Sequence, residues 1–218
     1  MSPYRHVLFD LDGTLIDSAP AILASYREAF ASAGRTPAIP VDAAIVGPPL
    51  TETLQMLAGS RDPVLIDELA THFKASYDIS GYRQTAAYEG VGEMLARLAA
   101  SGRSLAIATN KRLHPTRLIL GHLGWSEYFD AVYALDMFEP RLPDKATMIA
   151  RLLADRGIVH TTAVYVGDRS EDGESADANE LPFIAATWGY GSLSPSEMAP
   201  HWRAVASPEA LAAAILDD

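Results

Sequence analysis

A chain of 218 residues is long for one simple domain and short for two, and its 49% hydrophobic and 21% charged residues exclude disorder, collagen-like repeats and a disulfide scaffold. The absence of cysteine excludes disulfides, thiolate nucleophiles and thiolate metal sites. A formal charge of −11 has the wrong sign for gripping nucleic-acid phosphates, and no apolar run approaches the ~18 residues of a membrane span. Met1–His6 does not open a secretory signal, so the expected setting is the cytoplasm, with neither a nucleic-acid polymer nor a membrane as partner. The sequence carries no signal for an oligomeric state.

In chain order, the first element is a buried strand, Val7–Leu8–Phe9, that stops at Asp10. From about Asp17 to Tyr82 only helical patterns follow. Ile22, Leu23, Tyr26 and Phe30 share one face; after a break at Gly47-Pro48-Pro49 come Leu50, Leu54 and Leu57, then Leu65, Ile66, Leu69 and Phe73. Beyond linkers near residues 17–20 and 80–90, strand and helix alternate. Val91, Met94, Leu95 and Leu98 predict a helix, Leu105 to Ala108 a strand ending at Thr109, and Leu118, Ile119, His122 and Leu123 a helical face. Met148, Ile149, Leu152 and Leu153 repeat that spacing, and strands over Ala163 to Val166 and Phe183 to Ala186 end at Gly167-Asp168 and Thr187. The pattern predicts an α/β fold: a doubly wound parallel sheet with a Rossmann-like core (1–17 and 86–218) and an inserted helical cap (18–85). Ligands of such a sheet bind at the carboxyl ends of its strands, where these polar residues fall.

Phe9-Asp10-Leu11-Asp12-Gly13-Thr14-Leu15 places two carboxylates two residues apart directly after a buried strand, with Gly13 free to turn the chain out of the sheet. Taken alone, an Asp-x-Asp also suits a loop whose aspartates cap a helix. A second acidic cluster, Gly167-Asp168-Arg169-Ser170-Glu171-Asp172-Gly173, follows another strand. An EF-hand calcium loop fails there because Ser170 holds its third position and Asn179 its twelfth. Two acid-bearing loops at one sheet edge point instead to a hard divalent cation with oxygen ligands, Mg²⁺.

Taken together, the chain resembles the haloacid dehalogenase-like hydrolase superfamily, in its phosphoglycolate phosphatase-like branch with a helical cap. The resemblance spans essentially the whole length and rests on ordered signatures: Asp10-Leu11-Asp12-Gly13-Thr14-Leu15, Thr109-Asn110-Lys111, Lys145, and Gly167-Asp168 with Asp172. Gly47-Pro48-Pro49-Leu50, Tyr88-Glu89-Gly90-Val91 and Thr187-Trp188-Gly189-Tyr190-Gly191 add weaker echoes.

The resemblance implies Mg²⁺-dependent hydrolysis of a small phosphorylated metabolite through an aspartyl-phosphate, phosphoglycolate first, with nucleotidase or sugar phosphomutase chemistry as alternatives. A phospho-acceptor signalling protein is a further alternative, disfavoured by the helical insert. The resemblance makes Asp10 the nucleophile and Asp12 the proton carrier, and it assigns the metal to Asp10, Asp12 through its carbonyl, and Asp168, with Asp172 one layer out. Phosphate oxygens fall to Thr109, Asn110 and Lys145. The usual Lys-Pro pair is missing, since the segment here is Arg141-Leu142-Pro143-Asp144-Lys145, which leaves Arg141 as a rival cation. Lys111 reads as a loop residue near the pocket, Glu171 as an exposed charge, and Trp188 and Tyr190 either as a pocket wall or as packing over a strand end.

Overall fold

The computed structural model describes residues 4–190, 193, 194 and 196–217; Met1 and Gly191, named above, lie outside them. Strand β1 (His6–Phe9) is followed by a short β2 (Ile16–Asp17) and three helices, α1 (Ala19–Ser32), α2 (Leu50–Ala58) and α3 (Pro63–Tyr77). The chain returns through β3 (Ala86–Ala87) and continues as α4 (Val91–Ala100), β4 (Ser104–Thr109), α5 (Leu113–His122), β5 (Ala131–Ala134) and α6 (Lys145–Arg156). It ends with β6 (Ala163–Gly167), α7 (Ser170–Asp177), β7 (Phe183–Ala186), β8 (Arg203–Val205) and α8 (Pro208–Leu216).

Six strands form one parallel sheet in the order β5-β4-β1-β6-β7-β8. The alternation of side chains assigns its two faces. Val7, Phe9, Leu105, Ile107, Val164 and Val166 pack under α4, α5 and α8, whereas Leu8, Ala106, Ala108, Ala163 and Tyr165 pack under α6 and α7. Both faces are covered, so each central strand reads as an unbroken apolar run. The sheet order reverses direction at β1, which lies between β4 and β6, and the loops leaving β1 and its neighbours open a crevice at their carboxyl ends.

Helices α1 to α3 build their own core from Ile22, Tyr26, Phe30, Leu54, Leu57, Leu69 and Phe73. The insert leaves and rejoins the sheet through an antiparallel pair, Ile16 opposite Ala87 and Asp17 opposite Ala86. Local chemistry fixes the helix starts. The Asp62 side chain accepts from the Val64 amide ahead of Pro63, and the Asp144 side chain accepts from the Thr147 amide at 2.7 Å, which sets Lys145 as the first residue of α6.

Two expectations change. The buried face of α5 is Pro115, Thr116, Ile119 and Leu120, and His122 is exposed. That helix also touches the 81–84 turn, where His122 meets the Tyr82 ring edge-on at 6.2 Å, so its apolar pattern serves two surfaces. Strands β5 and β8, the sheet's edges, were not among the predicted strands: exposed Arg203 and Ala204 hide β8, whereas Ala131–Ala134 is an unbroken apolar run that is only partly buried. Among the described residues no helix is long and apolar enough to cross a membrane.

Helix α7 lies so close to the Trp202 ring that a Cβ on Gly173 would stand 2.4 Å from it. Replacing a helical glycine by alanine ordinarily helps by up to about 1 kcal/mol. Here overpacking dominates, and Gly173→Ala is expected to lower unfolding stability by about 1–3 kcal/mol in urea titration. A stabilised variant would contradict this packing.

Candidate active site

Asp10 directly follows β1, and its amide donates to the Val166 carbonyl at 2.9 Å, so the sheet ladder continues up to the carboxylate. The chain then turns sharply, with the Leu15 and Ile16 amides both donating to the Leu11 carbonyl. Gly13 makes that turn at φ 86°, and a Cβ there would lie 2.1 Å from the Asp168 carboxylate; both facts require glycine. Asp168 follows β6, the neighbouring strand, and the Thr14 hydroxyl donates to its Oδ1 at 3.3 Å.

Asp10, Asp168 and Asp172 each offer an oxygen, and the three oxygens lie within 4.8 Å of one another. All three residues are buried. Lys145 is the cation among them. Its Nζ donates to Asp172 Oδ1 and stands 3.2 Å from Asp10 Oδ1. The latter approach is too poorly aligned for a hydrogen bond and leaves Asp10 Oδ1 buried without a partner. Asp172 is fully engaged, because its Oδ2 accepts the amides of Asp168 and Arg169 at 3.1 and 3.0 Å. It therefore orients the 168–172 loop and anchors Lys145. Arg141 is elsewhere, 3.3 Å from the exposed Glu52.

Burial pushes the Asp10 carboxyl up to about 8; Asp172, Asp168 and Asp12 add to the effect, and Lys145 opposes it. Burial alone would lower the Lys145 ammonium, but Asp10 and Asp172 outweigh it and hold it well above its ordinary value. Asp12 stands apart from the three clustered acids. Lys111 Nζ donates to both its oxygens, at 3.0 and 3.3 Å, and the Ser18 hydroxyl donates to Oδ1. Lys111 in turn rests on the Tyr77 ring of α3, 4.7 Å from its centroid.

Thr109 ends β4, buried, with its hydroxyl oxygen accepting the Lys111 amide at 3.2 Å. The Asn110 side chain donates to Glu171 at 3.1 Å, so Glu171, although exposed, ties the β6 loop to the β4 loop. Trp188 donates to the Thr14 carbonyl at 2.9 Å, and the Tyr190 hydroxyl is 3.3 Å from that of Ser18, which makes both aromatics supports of the β1 turn. Lys111, expected as a loop residue near the pocket, is at the pocket, but its pairing with Asp12 was not foreseen, nor were Ser18 and the bidentate Arg112–Asp78 bridge between the α5 start and the α3 end. For Lys111 the signal was its place just past Thr109 in a chain of only three lysines.

The donor set fits a hard divalent cation: carboxylate oxygens, one of them buried and unpartnered, with no soft ligand and no imidazole among the clustered groups.

A parallel α/β core with acids gathered at its switch point and a helical insert above them defines a class of hydrolase-like folds. The family model for haloacid dehalogenase-like hydrolases matches residues 7–186, and the chain belongs to that family. It is 35% identical over 205 residues to a phosphoglycolate phosphatase of Xylella fastidiosa, covering 92% of this chain and 86% of that one. A tyrosine-protein kinase PtkA of Mycobacterium tuberculosis is 34% identical over 186 residues, covering 85% of this chain, which spans only 62% of that protein's length. A crystal structure of a protein from Clostridium acetobutylicum, described as a predicted phosphatase, superposes with a TM-score of 0.86 at 28% identity, covering 99% of both chains.

The raised Asp10 carboxyl gives a stability signature in the presence of chelator. Between the ordinary value of 3.8 and about 8 the native state holds a proton that the unfolded chain has released, so stability falls as pH rises through that window. The thermal midpoint is expected to fall across this range more steeply in the wild type than in Asp10→Asn. Equal slopes would contradict the assignment.

Proposed function

We propose that this protein is a cytoplasmic phosphatase that hydrolyses small phosphomonoesters through a covalent phosphate ester on Asp10. The strongest support is the convergence on one crevice of Asp10, Asp12, Thr109 and Asp168 from the ends of three adjacent strands and of Lys145 from the start of α6. We divide the chain into a catalytic core, 1–17 and 86–218, and a cap, 18–85.

In this reading an Asp10 oxygen attacks phosphorus and the bond to the leaving oxygen breaks, while Asp12 delivers a proton to that oxygen. Water then attacks the phosphorus of the aspartyl-phosphate, Asp12 takes the water's proton, and phosphate leaves with Asp10 restored. Lys111 and Ser18 hold the Asp12 carboxylate in place between the two steps. Thr109, Asn110 and Lys145 hold the phosphoryl oxygens; Lys145, already between Asp10 and Asp172, also keeps the nucleophile aimed. Mg²⁺, held by Asp10, the Asp12 carbonyl and Asp168 with Asp172 outside them, supplies charge neutralisation for the phosphoryl group when bound.

The names carried by relatives support a small phosphomonoester. One is a phosphoglycolate phosphatase; another, a 5'-nucleotidase of Pseudomonas aeruginosa, is 30% identical over 190 residues. Phosphoglycolate is the first substrate to assay, nucleoside monophosphates the second, and a sugar phosphate returned as its isomer would mark a mutase instead.

Phosphate release assays test the reading. Chelator is expected to abolish turnover and added Mg²⁺ to restore it. Asp10→Asn should lower kcat at least about a thousandfold, and Asp12→Asn by about 10²–10⁴. Unimpaired turnover by Asp10→Asn would refute the mechanism.

A further inference from the structure

Beside Asp12 the insert and the core line a small, partly open cavity of about 50 Å³. Its walls are largely apolar and aromatic: Ile22 and Tyr26 from α1, Ile45 and Leu50 from the segment entering α2, Phe73 and Tyr77 from α3. Three of the rings form a continuous stack, with Tyr26 and Phe73 centroids 4.5 Å apart and Phe73 and Tyr77 5.5 Å apart. Three cations lie against this wall, two of them committed and the third, Arg169, with its Nε against Gly47 and without a hydrogen-bond partner among the described residues. Lys111 is paired with Asp12, and Arg112 makes a bidentate bridge to Asp78. Arg141 and Lys74 border a different cavity. Polar capacity is not wholly spent, because the Tyr77 hydroxyl, buried beside the Lys111 ammonium, has no hydrogen-bond partner of acceptable geometry.

From this lining we infer that the preferred substrates are phosphomonoesters whose leaving alcohol carries an uncharged, flat ring. The inference rests on the reading of Asp12 as the group that protonates the leaving oxygen. That role puts the oxygen at Asp12 and directs the remainder of the alcohol into the adjoining cavity. A ring there gains apolar burial and stacking against Tyr26, Phe73 and Tyr77. A carboxylate in the same place faces Asp12 and gains no stacking; taking Lys111 from Asp12 or Arg112 from Asp78 would leave a buried acid unpaired, so Arg169 is the cation open to it. Phosphoglycolate, which brings a carboxylate and no ring, is on this view a weaker substrate than a ring-bearing ester.

The test compares kcat/KM, with Mg²⁺ present, for ethyl phosphate, 2-phenylethyl phosphate, 2-phosphoglycolate and adenosine 5'-monophosphate. All four release an aliphatic alcohol, so differences between them report on the cavity more than on leaving-group reactivity. The phenylethyl ester is expected to exceed ethyl phosphate and phosphoglycolate by about ten- to a hundredfold, the scale on which apolar pockets discriminate. Adenosine monophosphate ranking above it identifies the ring as that of a nucleoside; ranking below identifies a simple ring alcohol. Leu50→Lys, at a half-buried wall position, adds an uncommitted cation and should shrink the phenylethyl preference over phosphoglycolate several-fold, with circular dichroism confirming its fold. The wild-type ranking decides the matter even if that variant does not fold. Asp10-dependent hydrolysis without a ring preference, or with phosphoglycolate favoured, overturns this inference and leaves the phosphatase reading intact. Failure of all four esters, with Asp10→Asn indistinguishable from wild type, counts against both.

Discussion

The site is organised around an excess of negative charge that the protein itself does not balance. Four carboxylates, Asp10, Asp12, Asp168 and Asp172, gather at the ends of neighbouring strands, and two ammonium groups, Lys145 and Lys111, answer them. At a separation of 4 Å and an effective dielectric near 20, each like-charged pair costs about 4 kcal/mol, comparable to a large part of a domain's net stability. The protein meets this in two ways visible in its geometry. Asp172 is held by two backbone amides and Lys145, and Asp10 is driven toward its protonated form. Binding a phosphate dianion in such a place demands a further cation, which is the physical reason the proposed Mg²⁺ belongs to the account.

The parallel sheet makes that crowding possible. Because β1 lies between β4 and β6 and all three run the same way, the residues that follow them emerge at one edge although they are far apart in the chain. The helical insert contributes a different chemistry. It places an aromatic wall over Asp12, and through Tyr77 it also holds Lys111, so the position of the proposed proton carrier depends on both parts of the chain. The Arg112–Asp78 bridge joins the same two parts a residue further on.

Much of this was legible in the sequence, for an identifiable reason. The central strands are buried on both faces, so Val7–Phe9, Leu105–Ala108, Ala163–Val166 and Phe183–Ala186 are continuous apolar runs, and the acids and Thr109 reveal themselves by following such runs directly. The edge strand Arg203–Val205 carries no such run and stayed hidden, whereas Ala131–Ala134 at the other edge is an apolar run as continuous as Ala163–Val166 and was legible in principle. Lys145 could be ranked above Arg141 because it opens an amphipathic helix, and the structure brings it, rather than Arg141, to Asp10. Lys111 could be placed in a loop but not on Asp12, because its direction is set by Tyr77, which reaches it only through the tertiary fold. The face of α5 was misassigned for the same reason, since a second packing surface at the 81–84 turn leaves no trace in a helical repeat.

The charge imbalance can be measured by titrating metal-free protein with Mg²⁺ in a calorimeter near pH 7, in buffers of different ionisation enthalpy. Cation binding at a site whose carboxylate is largely protonated must release that proton to the buffer. The account predicts one bound cation and about one proton released by the wild type, with both the affinity and the proton release sharply reduced in Asp10→Asn. Binding of equal strength in the two proteins, with the same proton release, would contradict it.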